Sequence, residues 1–363
     1  MRERVIMIEP SGRGGIAQYT WCLSRALASA GASVSLLTAR DYEWRGAFPV
    51  DDVHAVFNGT RTPPGELWKT LRRLAADARV WHLQSGPRPG WLAALVPVLR
   101  RAGARRVLVT AHNAVPHNAG PSGRWTSRLL FNQADALFVH GSAVKNDVVR
   151  VAGRACPPVV EIPFGDMGAL PLPPARDVAR EDVLFFGYIH PAKGLDVLIR
   201  AAGMLRRRGR TFRLSVAGNP EEPWEPYRKL LREEGLEDAK LDLRYVPASC
   251  VSGHFARALV VVLPHRRASQ SGVLHLASRF GVPVVATRTG GMADQVRDGE
   301  SGLLVPPGDP SLLAGAVGKL LDDRALAARL VAGARSIFDG SGMRVAAERT
   351  LETYRRLPGR NAP

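Results

Sequence analysis

A chain of 363 residues is longer than one hydrophobic core readily supports, so two domains are expected. Hydrophobic residues at 45% and charged residues at 23%, with no low-complexity tract, exclude a disordered chain, and the apolar run at residues 91–99 is too short to span a bilayer and contains Pro97. The net charge of +17 would suit a polyanion, but the basic excess is shared by both halves, six of the 50 basic residues are lysine, and no recognised motif accompanies the charge, so no nucleic-acid partner is expected.

Residues 5–9 form an apolar strand, Gly12, Gly14 and Gly15 break it, and residues 17–30 follow with helical apolar spacing. That is the opening of a βαβ unit. Further β-rich runs at 33–38, 80–83, 107–110 and 136–139 alternate with helical stretches, as in a parallel sheet. Residues 166–182 contain Pro171, Pro173 and Pro174 and little periodicity, and read as a linker. Strands at 183–186, 214–217, 260–263 and 284–286 and helices at 195–208, 272–280 and 310–321 then repeat the pattern. The prediction is an α/β chain of two doubly wound Rossmann-like domains, 1–168 and 169–342, with a last helix in 343–363 returning to the first. Ligands of such sheets bind beyond the carboxyl ends of the strands, which directs attention to the loops there. The direct entry into a strand, without a signal peptide, and three widely separated cysteines, Cys22, Cys156 and Cys250, point to a reducing cytoplasm and to neither disulfide nor zinc.

The richest stretch runs from Pro264-His265-Arg266 through Ala268-Ser269-Gln270-Ser271-Gly272-Val273. A helix starting at Ser271 and Gly272 would aim backbone N–H groups at a diphosphate; the plainer alternative is an ordinary N-cap.

Three segments carry a family resemblance: Gly14-Gly15-Ile16-Ala17-Gln18-Tyr19, residues 186–196 from Phe186-Gly187-Tyr188 to Gly194-Leu195-Asp196, and Gly281-Val282-Pro283-Val284-Val285 onward through Gly290-Gly291 to Pro307-Gly308-Asp309. Together they are similar to glycosyltransferase family 4. The resemblance implies the GT-B fold, in which the two domains face one another across a cleft. It also implies a nucleotide-diphosphate-sugar donor and retention of configuration at the transferred sugar. Lys193 looks like the lysine that meets the donor phosphates. Gly14 and Gly15 match the glycine turn that closes over the diphosphate and lines the acceptor side, and His112 matches a histidine facing the donor sugar.

Two departures stand out. The arginine often found five residues before the lysine is replaced by Tyr188, leaving His190 or Arg266 to substitute. The paired glutamates of the family fall at Ala268 and Leu276, which leaves ribose recognition and the identity of the nucleotide open, although Gln270, Ser271, Gly272 and Val273 resemble a variant of the same donor-binding loop.

No Asp-x-Asp occurs, so neither metal nor cofactor is expected. The rival reading is a non-catalytic relative that binds a nucleotide sugar or a partner protein; a dehydrogenase is disfavoured because residues 12–17 do not complete G-x-G-x-x-G. The acceptor is left open. Trp68, Leu71 and Leu74, with Lys69, Arg72 and Arg73 on the same helical segment, suggest either a peripheral contact at the inner membrane face or a plain amphipathic surface helix.

Overall fold

The computed structural model describes residues 2–44, 46, 52–58, 62–116, 122–167, 170–339 and 341–358. The chain divides into two compact units, Met1–Leu170 with Gly340–Pro363, and Pro171–Asp339. The expected boundary between residues 168 and 169 lies outside the described residues.

In the first unit the order is β1 (Arg4–Glu9), α1 (Gly14–Ser29), β2 (Ser33–Ala39), β3 (Asp52–Phe57), α2 (Pro64–Ala75), β4 (Val80–Ser85), α3 (Pro89–Ala102), β5 (Arg106–Ala111), α4 (Gly123–Gln133), β6 (Ala136–Val139), α5 (Ser142–Ala152) and β7 (Val159–Glu161). The second contains β8 (Asp182–Phe186), α6 (Leu195–Arg207), β9 (Arg213–Ala217), α7 (Glu225–Glu233), β10 (Lys240–Asp242), α8 (Ala248–Ala256), β11 (Ala258–Leu263), α9 (Val273–Arg279), β12 (Val284–Thr287), α10 (Met292–Gln295), β13 (Leu303–Val305), α11 (Pro310–Asp322) and α12 (Arg324–Ile337). The last helix, α13 (Ser341–Arg356), belongs to the first unit and packs on α1.

Each unit is one parallel sheet, ordered β3-β2-β1-β4-β5-β6-β7 and β10-β9-β8-β11-β12-β13. The first strand of each unit is central, and the order reverses beside it, between β1 and β4 and between β8 and β11. Strand ends diverge at such a reversal and leave room for a ligand. The central strands are continuous apolar runs because helices cover both faces. Four strands that periodicity does not reveal are β3, β7, β10 and β13, which are the four sheet edges. β7, β10 and β13 have three residues each, and an edge strand is buried on fewer sides, so its apolar signal is weak.

The cores are separate: Phe57, Trp81, Leu99 and Phe131 belong to the first, Phe185, Ile199, Leu214 and Val262 to the second. The fully buried Tyr354 fastens α13 to the first sheet, its hydroxyl 2.6 Å from Nδ1 of His82, while Arg106 donates to its backbone carbonyl. In the second unit Asp309 and Asp323 cap α11 and α12 through their carboxylates.

Helix α12 lies so close to the loop before β13 that a Cβ on Gly333 would stand 2.0 Å from the Glu300 carbonyl oxygen. Gly315 on α11 has open space in the same direction. Gly333→Ala is therefore expected to destabilise the second unit by about 2–3 kcal/mol, lowering its melting midpoint by roughly 5–10 °C, whereas Gly315→Ala should leave it unchanged or raise it slightly. Calorimetry of the two variants checks this, and equal midpoints would contradict the packing.

Candidate active site

The candidate residues of the first unit lie at the carboxyl ends of β1, β4 and β5. Glu9 ends β1 fully buried and accepts from the backbone N–H of Ser11 at 3.0 Å and of Gly12 at 2.8 Å, and from the Ser11 hydroxyl. Burial pushes its carboxyl up, and the hydrogen bonds from Ser11 and Gly12 oppose that shift. The turn so fixed leads directly into α1. Gly14 and Gly15 are the first two residues of that helix, three positions before the expected start. Gly14 is buried at a φ of 81°, and a Cβ on Gly15 would meet nothing within 4 Å.

His112 follows β5 with 9% of its surface exposed, and its Nε2–H donates to Oε1 of Gln84 at 3.0 Å. The Tyr19 ring meets it edge-on at 4.9 Å, and the His140 ring lies 5.4 Å away. Burial, followed by the neighbouring His140 and His82, holds its pKa well below the ordinary histidine value. Burial likewise takes His140 down to about 4 and His82 to about 3. The three imidazoles are neutral at physiological pH, so His112 can orient a ligand by hydrogen bonding but supplies no positive charge.

In the second unit Lys193 closes the 3-10 turn Pro191–Lys193 beyond β8. His190 caps that turn, its Nδ1 accepting from Ala192 N–H at 3.2 Å. Gly194 follows at a φ of 67°, where a Cβ would sit 2.0 Å from the Pro264 carbonyl oxygen, so only glycine lets the turn approach the end of β11. The Arg266 N–H completes the junction by donating to Ala192 O at 2.8 Å. Lys193 is half-buried; burial lowers its ammonium to about 8, with the Glu221 carboxylate opposing the shift. Glu221 was not among the residues expected from the sequence, being 28 positions from the lysine, beyond β9.

Arg266 is held bidentate by Asp196 at 2.7 and 2.5 Å and also donates to Pro191 O at 3.1 Å. Its guanidinium thus braces the start of α6 beside the lysine turn. Tyr188, at the position of the absent arginine, is 38% exposed.

The helix expected from Ser271 begins at Val273, with Gly272 as its N-cap, and is seven residues long. The Ser271 N–H donates to Oε1 of Gln295 at 2.9 Å, so that group is already engaged within the fold, and Gln270 lies in the loop just before it. Ala268 and Leu276 are both buried, and the side chain of Leu276 is part of the packing of α9. Among the described residues no group of three His, Cys, Asp or Glu side chains could hold a metal ion.

A family model described as "Glycosyl transferase 4-like domain" matches residues 14–165, and one described as "Glycosyl transferases group 1" matches residues 180–323. The chain is 30% identical to the GDP-mannose-dependent alpha-(1-6)-phosphatidylinositol monomannoside mannosyltransferase of Mycolicibacterium smegmatis, over 94% of this chain and 95% of that one. The chain belongs to glycosyltransferase family 4. A D-inositol 3-phosphate glycosyltransferase of Xylanimonas cellulosilytica is 29% identical over 94% of this chain and 91% of its own length. Among solved structures, Anabaena HepE with UDP and glucose superimposes with a TM-score of 0.77 at 18% identity, covering 98% of this chain and all of its own. Sucrose-phosphate synthase from Thermosynechococcus elongatus gives 0.73 at 21% identity, covering 98% and 99%. The fold is GT-B, and the chain is an enzyme, a nucleotide-sugar glycosyltransferase.

A lysine lowered to about 8 that met the donor phosphates would give nucleotide binding a pH dependence. The ammonium is charged below about 8 and neutral above it, and an anionic diphosphate favours the charged form. Nucleoside-diphosphate affinity is expected to drop by roughly a third already between pH 7.5 and 8, and then more steeply, approaching tenfold per pH unit by pH 9–10. Lys193→Arg should abolish the fall, because a guanidinium stays charged throughout. Titration calorimetry across this range checks it; a wild-type curve as flat as that of the arginine variant would remove Lys193 from the phosphate site.

Proposed function

We propose that the enzyme moves a hexosyl group from a nucleoside-diphosphate sugar to an acceptor hydroxyl, with retention of configuration and without a metal ion or cofactor. The observation that carries this reading is Lys193, a half-buried ammonium on a turn locked between β8 and β11. When the bond from the anomeric carbon to the phosphate oxygen breaks, its electron pair stays on the diphosphate, and a fixed cation stabilises that charge more in the transition state than in the ground state. The acceptor hydroxyl attacks from the side the phosphate leaves, and the departing phosphate oxygen takes its proton. His112 orients the sugar as a neutral hydrogen-bonding group. Gly14 and Gly15 admit the diphosphate close to the start of α1. Gln270, Ser271, Gly272 and Val273 line the donor side, and His190 and Arg266 shape the lysine turn, Arg266 through Asp196. The names of the relatives, mannosyl and inositol glycosyltransferases, support a nucleotide-sugar donor and a polyhydroxylated acceptor.

A peripheral contact with an anionic membrane surface is part of this reading, and its basis differs from the sequence expectation. Leu71 and Leu74 are buried in the core, so α2 offers only Trp68, 41% exposed with Arg72 stacked near its ring, to a bilayer. Helix α4 adds Trp125, 66% exposed, and Leu129, flanked by Arg124 and Arg128. No described helix is long and apolar enough to cross a membrane.

Lys193→Ala is expected to stay folded and to lower turnover by on the order of a hundredfold or more, equivalent to about 3 kcal/mol of transition-state stabilisation. Release of nucleoside diphosphate from labelled donor measures it, once a thermal-shift panel of UDP, GDP, ADP and dTDP has identified the base. Near-normal turnover in the folded variant would refute the assignment. EDTA should leave activity largely unchanged, and its abolition with rescue by Mn²⁺ or Mg²⁺ would overturn the metal-free mechanism.

A further inference from the structure

Beyond β11 the chain runs through residues 264–272 to α9, and the segment that ends β12 and follows it, residues 287–295, lies against that loop. The two meet in order. The Thr287 hydroxyl donates to His265 O at 2.6 Å, and the Thr289 hydroxyl to Arg266 O at 3.2 Å. Two glycines come next: a Cβ on Gly290 would stand 1.9 Å from Ala268 O, and one on Gly291 would stand 1.8 Å from Ser269 O. Last, the Ser271 N–H donates at 2.9 Å to Oε1 of Gln295, the final residue of α10. Backbone packed this closely has no room to slide, so residues 265–271 take one register against 287–295.

The first four contacts engage carbonyl oxygens, and the last engages an N–H. Ser271 is 5% exposed, and a buried N–H without a partner is costly. Gln295 supplies that partner, while its own amide nitrogen faces Nε2 of His275 on α9 at 3.5 Å. Both ends of the Gln295 amide are therefore used inside the unit, one on the loop and one on the helix that the loop enters. Position 268, where the first glutamate of the family falls, is a buried alanine whose carbonyl packs on Gly290. Ser269, Gln270, Gly272 and Val273 keep part of their surface exposed, whereas Ser271 between them is held within the fold.

We propose that Gln295 is a positioning residue for donor binding: by taking the Ser271 N–H it holds residues 268–272 in the conformation that the donor diphosphate meets, before the donor arrives. This rests on the glycosyltransfer reading above, which puts Gln270, Ser271, Gly272 and Val273 on the donor side, and it assigns the Ser271 N–H to the fold instead of to the ligand. A loop ordered in advance spares the donor the cost of ordering it, so loss of Gln295 is read as weaker binding. Arg266 joins the same loop to the lysine turn, its backbone N–H donating to Ala192 O at 2.8 Å.

The test uses the full chain as wild type, Gln295→Leu and Gln295→Glu, labelled with ¹⁵N in serine, with the Ser271 amide resonance identified by its loss in Ser271→Ala. Leucine removes the acceptor, and glutamate keeps one. Without ligand, the Ser271 amide is expected to exchange with solvent about tenfold faster in Gln295→Leu, and within about threefold of wild type in Gln295→Glu. The nucleoside diphosphate that binds wild type in the UDP, GDP, ADP and dTDP panel should bind Gln295→Leu about tenfold more weakly. The corresponding nucleoside, which lacks the phosphates, should bind both alike, and its retention shows the variant folded. A Ser271 amide equally protected in wild type and Gln295→Leu overturns the proposal, as does an unchanged diphosphate affinity in that variant. An equal loss for nucleoside and diphosphate also overturns it, because general loosening of the unit would produce that result. If wild type binds none of the four diphosphates, the donor reading fails by itself, and the exchange rates still decide whether Gln295 holds the loop.

Discussion

The buried carboxylate of Glu9 sets the geometry on which the first unit's site depends. Taking a carboxylate out of water is expensive, and here the cost is offset by hydrogen bonds from the backbone N–H groups of Ser11 and Gly12 and from the Ser11 hydroxyl. Those bonds fix the turn that starts α1 at Gly14. The start of α1 in turn places Ile16 in a cavity wall and brings the Tyr19 ring against His112 and His140. A longer or looser turn would shift the helix along its axis and separate these contacts together.

The two units divide the electrostatic work. The first contributes groups that burial keeps neutral, the imidazoles of His82, His112 and His140. Such groups discriminate by direction: each offers a donor on one nitrogen and an acceptor on the other, so the partner of one nitrogen decides what the other can bind. The second contributes fixed charge. Lys193 is lowered by burial, while Glu221 favours its charged form. Arg266 is spent on Asp196, which firms the turn that carries the lysine.

The alternation of strands and helices was legible wherever a strand is central to its sheet, since a strand buried on both faces must be apolar throughout. The residues that close the sheets were not. β10 reads Lys-Leu-Asp and β13 reads Leu-Leu-Val, and at three residues each carries too little pattern to register. Helix α2 shows the opposite difficulty. Its amphipathic pattern is plain, but the apolar stripe of Leu71 and Leu74 faces the core, and only packing tells that use from a membrane-facing one.

By itself the sequence determined the family, the two parallel-sheet units and the place of Lys193, because glycines and short motifs at strand ends are local and survive without knowledge of what packs on them. Only the tertiary structure decided which groups those motifs meet. Gln84 and His112 are 28 residues apart, and Arg266 and Asp196 are 70 apart. Each pair is joined through strand register or loop packing that no local pattern encodes. The same holds for charge: His112 is neutral and Lys193 is lowered to about 8 because of what encloses them, and burial is a property of the folded chain.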